Sequence, residues 1–108
     1  MSRKLKRFKN DGDRSLKTMV ESKDPEIVYT IVDSIFFGLD NDLSAVECFE
    51  VESPSSIVTF KMAKVEWSGC LTKCLDDMII YEDYEMCTKI QGYRKKLDQK
   101  YIGDKKDI

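Results

Sequence analysis

The chain contains no histidine. That removes the usual general base at neutral pH, along with the Ser/His and Cys/His pairs that activate nucleophiles. There is no glycine-rich phosphate loop either, because Gly12, Gly38, Gly69, Gly92 and Gly103 are scattered singly. No apolar run nears the ~18 residues that would span a bilayer. The basic opening is not followed by an apolar signal core, so the expected setting is a reducing cytoplasm (a host cell's if the source is viral) with free thiols. Alanine is scarce and lysine far outnumbers arginine, the bias of AT-rich coding sequences such as many phage and viral genomes carry.

What is present is a core-forming composition with an uneven charge pattern. At 108 residues and 42 % hydrophobic content, one domain is expected, with no disulfide or metal needed to hold it. Residues 1–20 carry seven basic and two acidic groups, residues 21–88 four and fifteen, and residues 89–108 seven and three. The ends are basic and the body is acidic, which bears on partners and solubility rather than on fold.

The sequence divides into a basic arm over 1–23, an α+β domain over 24–102 and a polar tail over 103–108. In the arm, Leu5 with Phe8, and Leu16 with Met19 and Val20, sit at helical spacing, so short helical turns are expected there. "DPEIVYTIVDSIFFG" reads as the first full helix. Asp24 is a good N-cap, Pro25 suits the first helical position, and Glu26 complements the positive end of the helix dipole. Ile27, Val28, Ile31, Val32, Ile35 and Phe36 form one apolar stripe, and Gly38 is the expected stop. Asp40 and Asp42 resemble the start of a calcium loop, but Ala45 and Val51 stand where such a loop needs glycine and glutamate.

Residues 45–52 and 57–66 read as a β-hairpin turning at "SPSS". Alternation puts Val46, Cys48 and Glu50 on one face of the first strand, and Glu47, Phe49 and Val51 on the other. Val58, Phe60 and Met62 of the second strand should pack with Phe49 and Val51. From Ser68 to Tyr101 the pattern is helical, with stripes Leu71, Cys74, Leu75, Met78, Ile79, Tyr81 and Met86, Cys87, Ile90, Tyr93, Leu97, Tyr101. An unbroken helix of ~34 residues would be ~50 Å long, so the expectation is a break or bend near "YEDY", with Gly92 a second weak point, or else an extended helix used for dimerisation. The expected class is a small α+β domain ordered helix, hairpin, then a long or broken helical segment.

Three of the four cysteines lie in "CLTKCLDDMIIYEDYEMC". Cys70 and Cys74 share a helix face, but a closed zinc site needs four ligands. All four cysteines would have to converge, and the C-x2-C knuckles of strong zinc motifs are absent. A stapled helix pair of the twin C-x3-C kind would need cysteine at position 91, where Gln91 stands. The thiols are therefore expected to fill apolar helix positions, with Cys70 the more exposed. Asp76, Asp77, Glu82, Asp83 and Glu85 could hold magnesium only with help from a substrate phosphate, and read first as a solvated face. No catalytic residue, metal or cofactor is assigned.

The leading expectation is a non-enzymatic binding protein, a regulator, inhibitor or assembly factor working through protein contacts or self-association. Trp67, Tyr81 and Tyr84 are its candidate anchors if exposed. The alternative is a nucleic-acid-associated protein holding phosphates with Arg3, Lys4, Lys6, Arg7 and Lys9 of the arm and Arg94, Lys95 and Lys96 of the last helix. No membrane partner is expected.

Overall fold

A computed structural model describes residues 5–9 and 24–106, with side chains as far as Leu97. The elements are β1 (Lys6–Lys9), α1 (Pro25–Asp40), β2 (Ala45–Glu52), β3 (Ile57–Ala63), a 3-10 turn (Lys64–Glu66), α2 (Trp67–Ile80) and α3 (Tyr84–Lys106). The class is α+β, and helix, hairpin and helical segment follow in the expected order. The chain's contacts gather into two compact units, Met1–Lys64 and Val65–Ile108.

The first unit is a three-stranded sheet, ordered β1-β2-β3, carrying α1. Its helix begins as the caps dictate: the Asp24 carboxylate accepts the Glu26 N–H at 3.0 Å, and Pro25 opens the first turn. Ile27, Val28, Ile31, Val32 and Ile35 are all buried. Each contributes about 1.5–3 kcal/mol relative to an exposed position. Gly38 does not stop the helix, which runs to Asp40 with Asn41 as its C-cap. The stop is a left-handed residue, Asp42 at φ 54°, with Leu43 N–H donating to Gly38 O and Asp42 N–H to Leu39 O. These two bonds satisfy the last carbonyls in the Schellman pattern, and they put Gly38 inside the final turn.

The arm contributes a strand rather than the helical turn expected from Leu5 and Phe8. β1 pairs in parallel with β2, Lys6 opposite Phe49 and Phe8 opposite Val51. The reason is aromatic packing. Phe8 meets Phe49 edge-on at 5.3 Å, and Phe49 stacks on Phe60 of β3 at 5.1 Å, so one aromatic row crosses all three strands. Such pairs are worth ~0.5–1.5 kcal/mol each beyond their burial. The expected turn through Leu16, Met19 and Val20 lies outside the described residues.

β2 and β3 form the antiparallel hairpin, closed by Ser53 and Ser56 through reciprocal backbone bonds. β3 ends at Ala63, and its last expected residues form the 3-10 turn instead. Simple alternation fails at one place. Glu47 pairs with Lys61 but Phe49 with Phe60, so Cys48 is the extra residue of a bulge. The bulge shifts the phase of the strand, and Val46, Cys48, Phe49 and Val51 are all buried. Ser34, fully buried on α1, donates to Thr30 O at 2.7 Å and faces Cys48 O at 3.3 Å. The bulged backbone is thereby tied to the helix.

The second unit is a pair of helices packed on one another. Trp67, Leu71, Cys74 and Met78 of α2 are buried, as are Cys87 and Ile90 of α3. The break falls at Tyr81–Asp83, within the expected stretch. Glu82 takes φ 60°, Glu82 N–H donates to Ile79 O, and Asp83 N–H donates to Met78 O. Asp83 then caps α3, its carboxylate accepting the Met86 N–H at 3.1 Å. One residue closes one helix and the next opens another. Gly92 does not interrupt α3, whose backbone runs on through Gly103 to Lys106, so the expected tail is helical as far as that residue.

Candidate functional site

The described basic candidates fall into two groups. Lys6 and Arg7 lie on β1 and are engaged with the acidic body. Lys6 Nζ meets Glu26 at 2.8 Å, and Arg7 meets Glu50 at 3.3 Å and Glu52 at 3.7 Å. Strand alternation puts Arg7, Glu50 and Glu52 on the sheet face opposite Phe49, where Lys61 also meets Glu47 at 3.8 Å. That face is a solvated ladder of ion pairs, each worth little in stability. Lys9 is exposed on the same strand, and Arg3 and Lys4 lie outside the described residues. Arg94, Lys95 and Lys96 lie on α3. Lys95 and Lys96 are exposed, and Lys96 sits 5.3 Å from the centre of the Tyr93 ring.

The three candidate anchors separate. Trp67 is 0 % exposed and belongs to the core, because the first turn of α2 directs it inward with Leu71 and Cys74. As an anchor for a partner it is excluded in this conformation. Tyr81, the C-cap of α2, is half-buried. Tyr84, the first residue of α3, is 64 % exposed. Beside it in sequence, Ile79 and Ile80 are 52 % and 65 % exposed. The sequence pattern puts Ile79 in the buried stripe, and the structure exposes it. Adjacent residues on a helix point ~100° apart, so Met78, Ile79 and Ile80 cannot share one face. With Met78 taking the buried position, both isoleucines turn outward.

The turn between α2 and α3 thus presents three large apolar side chains. Its electrostatics are one-sided. Between Lys73 and Lys89 the chain has five carboxylates, Asp76, Asp77, Glu82, Asp83 and Glu85, and no basic residue. The last turn of α2 holds no basic group to offset the negative end of its dipole. Glu85 and the capping Asp83 sit at the positive end of α3. This knuckle, from Ile79 to Tyr84, sets exposed apolar side chains among carboxylates close in sequence. A second exposed apolar pair, Ile57 and Val58, opens β3, an edge strand among the described residues. Such an edge can accept a partner strand.

The thiols are all free. Cys48, Cys74 and Cys87 are buried, and Cys70 is partly exposed. Among the described residues, no group of three histidine, cysteine, aspartate or glutamate side chains could hold a metal ion. No described helix is long and apolar enough to cross a membrane. No family model, curated protein or solved structure matches this chain.

Proposed function

We propose that this chain is a non-enzymatic binding protein, a regulator, inhibitor or assembly factor, that engages a protein partner through the knuckle between α2 and α3. The observation that carries the reading is the exposure of Ile79, Ile80 and Tyr84 inside a stretch with five carboxylates and no basic residue. Apolar anchors supply affinity, and tyrosine is enriched among residues that dominate binding energy. The surrounding charge selects the partner's sign and speeds its approach. The partner that fits is a basic amphipathic segment whose apolar side chains meet the knuckle and whose lysines or arginines meet the carboxylates.

The test is affinity capture on the purified chain after nuclease treatment, run in parallel with Ile80→Glu and Tyr84→Ala. A genuine partner is retained by the native chain, is lost from Ile80→Glu, and weakens as salt rises. Equal recovery by the native chain and Ile80→Glu would sink the proposal. Among the described residues, the nucleic-acid alternative draws on Lys9, Lys95 and Lys96, since Lys6 and Arg7 are occupied by carboxylates. It requires salt-sensitive binding of a labelled duplex or single strand that a Lys95→Ala, Lys96→Ala double variant weakens.

A further inference from the structure

Among the described residues, β3 is one outer strand of the sheet. Its hydrogen-bonding phase is fixed at both ends. Ser53 and Ser56 exchange both backbone bonds, at 2.8 and 3.4 Å, and Lys64 N–H donates to Ser44 O at 2.9 Å. In an antiparallel pair the direction of these groups alternates residue by residue. The bulged residue belongs to β2, so β3 keeps its phase throughout. Val58 and Phe60 therefore turn their peptide groups toward β2, and Ile57, Thr59 and Lys61 turn theirs toward the edge. The side chains there are thinly covered as well. α1 packs along the central strand β2. Val58 is left 48 % exposed and Phe60 half-buried on the face of Phe49, with Ile57 49 % exposed on the other face.

The features that blunt a sheet edge are missing from β3. Ile57–Ala63 has no proline and no bulge of its own, and its single charge, Lys61, pairs with Glu47. The strand at the other side of the sheet is different. β1 carries Lys6, Arg7 and Lys9, so two copies of it repel. We propose that the β3 edge pairs with β3 of a second copy of this chain, antiparallel about a two-fold axis at Thr59, joining two three-stranded sheets into one.

Charge selects that register. An axis at Lys61 sets two ammonium groups face to face, and an axis at Phe60 makes them diagonal neighbours about 7–8 Å apart. An axis at Thr59 separates them and lets Ile57, Thr59 and Lys61 of both copies exchange backbone bonds. On the solvated face Lys61 then lies beside the partner's Ile57, which is itself opposite the partner's Glu52, so the lysine stands between Glu47 of its own chain and a carboxylate of the other. Ile57 rests on the apolar stem of the partner's Lys61. On the opposite face Val58 meets the partner's Phe60 in a non-hydrogen-bonded pair, where side chains approach most closely. Such an aromatic and β-branched pair is favourable, and each side chain covers what α1 leaves open on the other.

Sedimentation equilibrium of the reduced full chain over a concentration series reads the assembly. The native chain should show a monomer–dimer equilibrium. Thr59→Lys places its charge opposite Glu50 within one chain but sets two ammonium groups against each other on the axis. It should raise the dimer dissociation constant by about tenfold or more, with the thermal melt still cooperative. Ile80→Glu, at the knuckle, should leave the dimer intact. The register is read separately, in a Cys70→Ser background. Thr59→Cys should oxidise to a covalent dimer, because facing residues of a hydrogen-bonded pair have α-carbons about 5.5 Å apart, within disulfide range. Lys61→Cys, whose two-fold mates lie roughly 13 Å apart along the strands, should not. A native chain that is monomeric at every concentration would overturn the proposal. So would a dimer that a folded Thr59→Lys chain retains, a dimer that Ile80→Glu abolishes, or crosslinking at position 61 as fast as at 59. If Thr59→Lys does not fold, the two cysteine variants decide between these outcomes.

Discussion

Replacing Glu82 with glycine tests the helical break by the sign of its effect. In the structure Glu82 sits at φ 60°, between the last carbonyls of α2 and the cap of α3. Holding a residue with a β-carbon in that left-handed region costs about 1–2 kcal/mol. Glycine removes the clash but gives up roughly 0.5–1 kcal/mol in chain entropy. Glu82→Gly should therefore stabilise the chain by about 0.5–1 kcal/mol, a rise of a few degrees in Tm at roughly 4–8 °C per kcal/mol. If α2 and α3 were one continuous helix, the same change would place glycine in a helix interior. It would then cost on the order of 0.5–1 kcal/mol. Urea and thermal melts followed by far-ultraviolet circular dichroism separate the two cases. Glu82→Ala is the control, because it keeps the β-carbon and should gain nothing at the turn. A destabilised Glu82→Gly chain beside an undiminished Glu82→Ala chain would refute the hairpin.

Removing the next residue's cap should act in the opposite direction. Asp83→Ala is expected to cost about 1 kcal/mol and Asp83→Asn much less, read from the same melts. Trp67→Ala should cost about 3–5 kcal/mol, since the side chain is wholly inside. Loss of its fluorescence change on unfolding makes the comparison with Trp67→Phe the better-controlled one. Ser34→Ala should cost about 1 kcal/mol, because it removes the hydroxyl that joins the α1 backbone to the β2 bulge. Ile80→Glu should change stability by less than about 0.5 kcal/mol, the usual range for an exposed site, while abolishing partner capture.

Much of the framework was legible because local signals agreed with tertiary packing. Asp24, Pro25 and Glu26 announced α1, and the stripe from Ile27 to Ile35 is its buried face. "SPSS" gave the hairpin its turn, and the length of the terminal helical pattern left a break near "YEDY" or one extended helix, of which the structure has the break. What was not legible depended on long-range contacts. A four-residue strand flanked by charges carries no period of its own, and β1 exists because Phe8 reaches Phe49. The bulge at Cys48 leaves no local mark in the sequence. It shows only in the conflict between Val46 and Phe49, which simple alternation assigns to opposite faces and the structure buries alike. Both helix ends depend on left-handed acidic residues, Asp42 and Glu82, where glycine would have been the readable sign. The knuckle was half visible. The sequence shows Tyr84 as a candidate anchor and the carboxylates as a cluster, but its period puts Ile79 in the buried stripe, because a period does not say where a helix turns away.

The most direct measurement of the account is site-specific photocrosslinking from position 84 in the intact chain, with Ile80→Glu as the matched control. A protein adduct at position 84 should form at low salt, fade at high salt, survive nuclease and be missing in the control. Adducts that form equally with Ile80→Glu, or that vanish only on nuclease treatment, would contradict it.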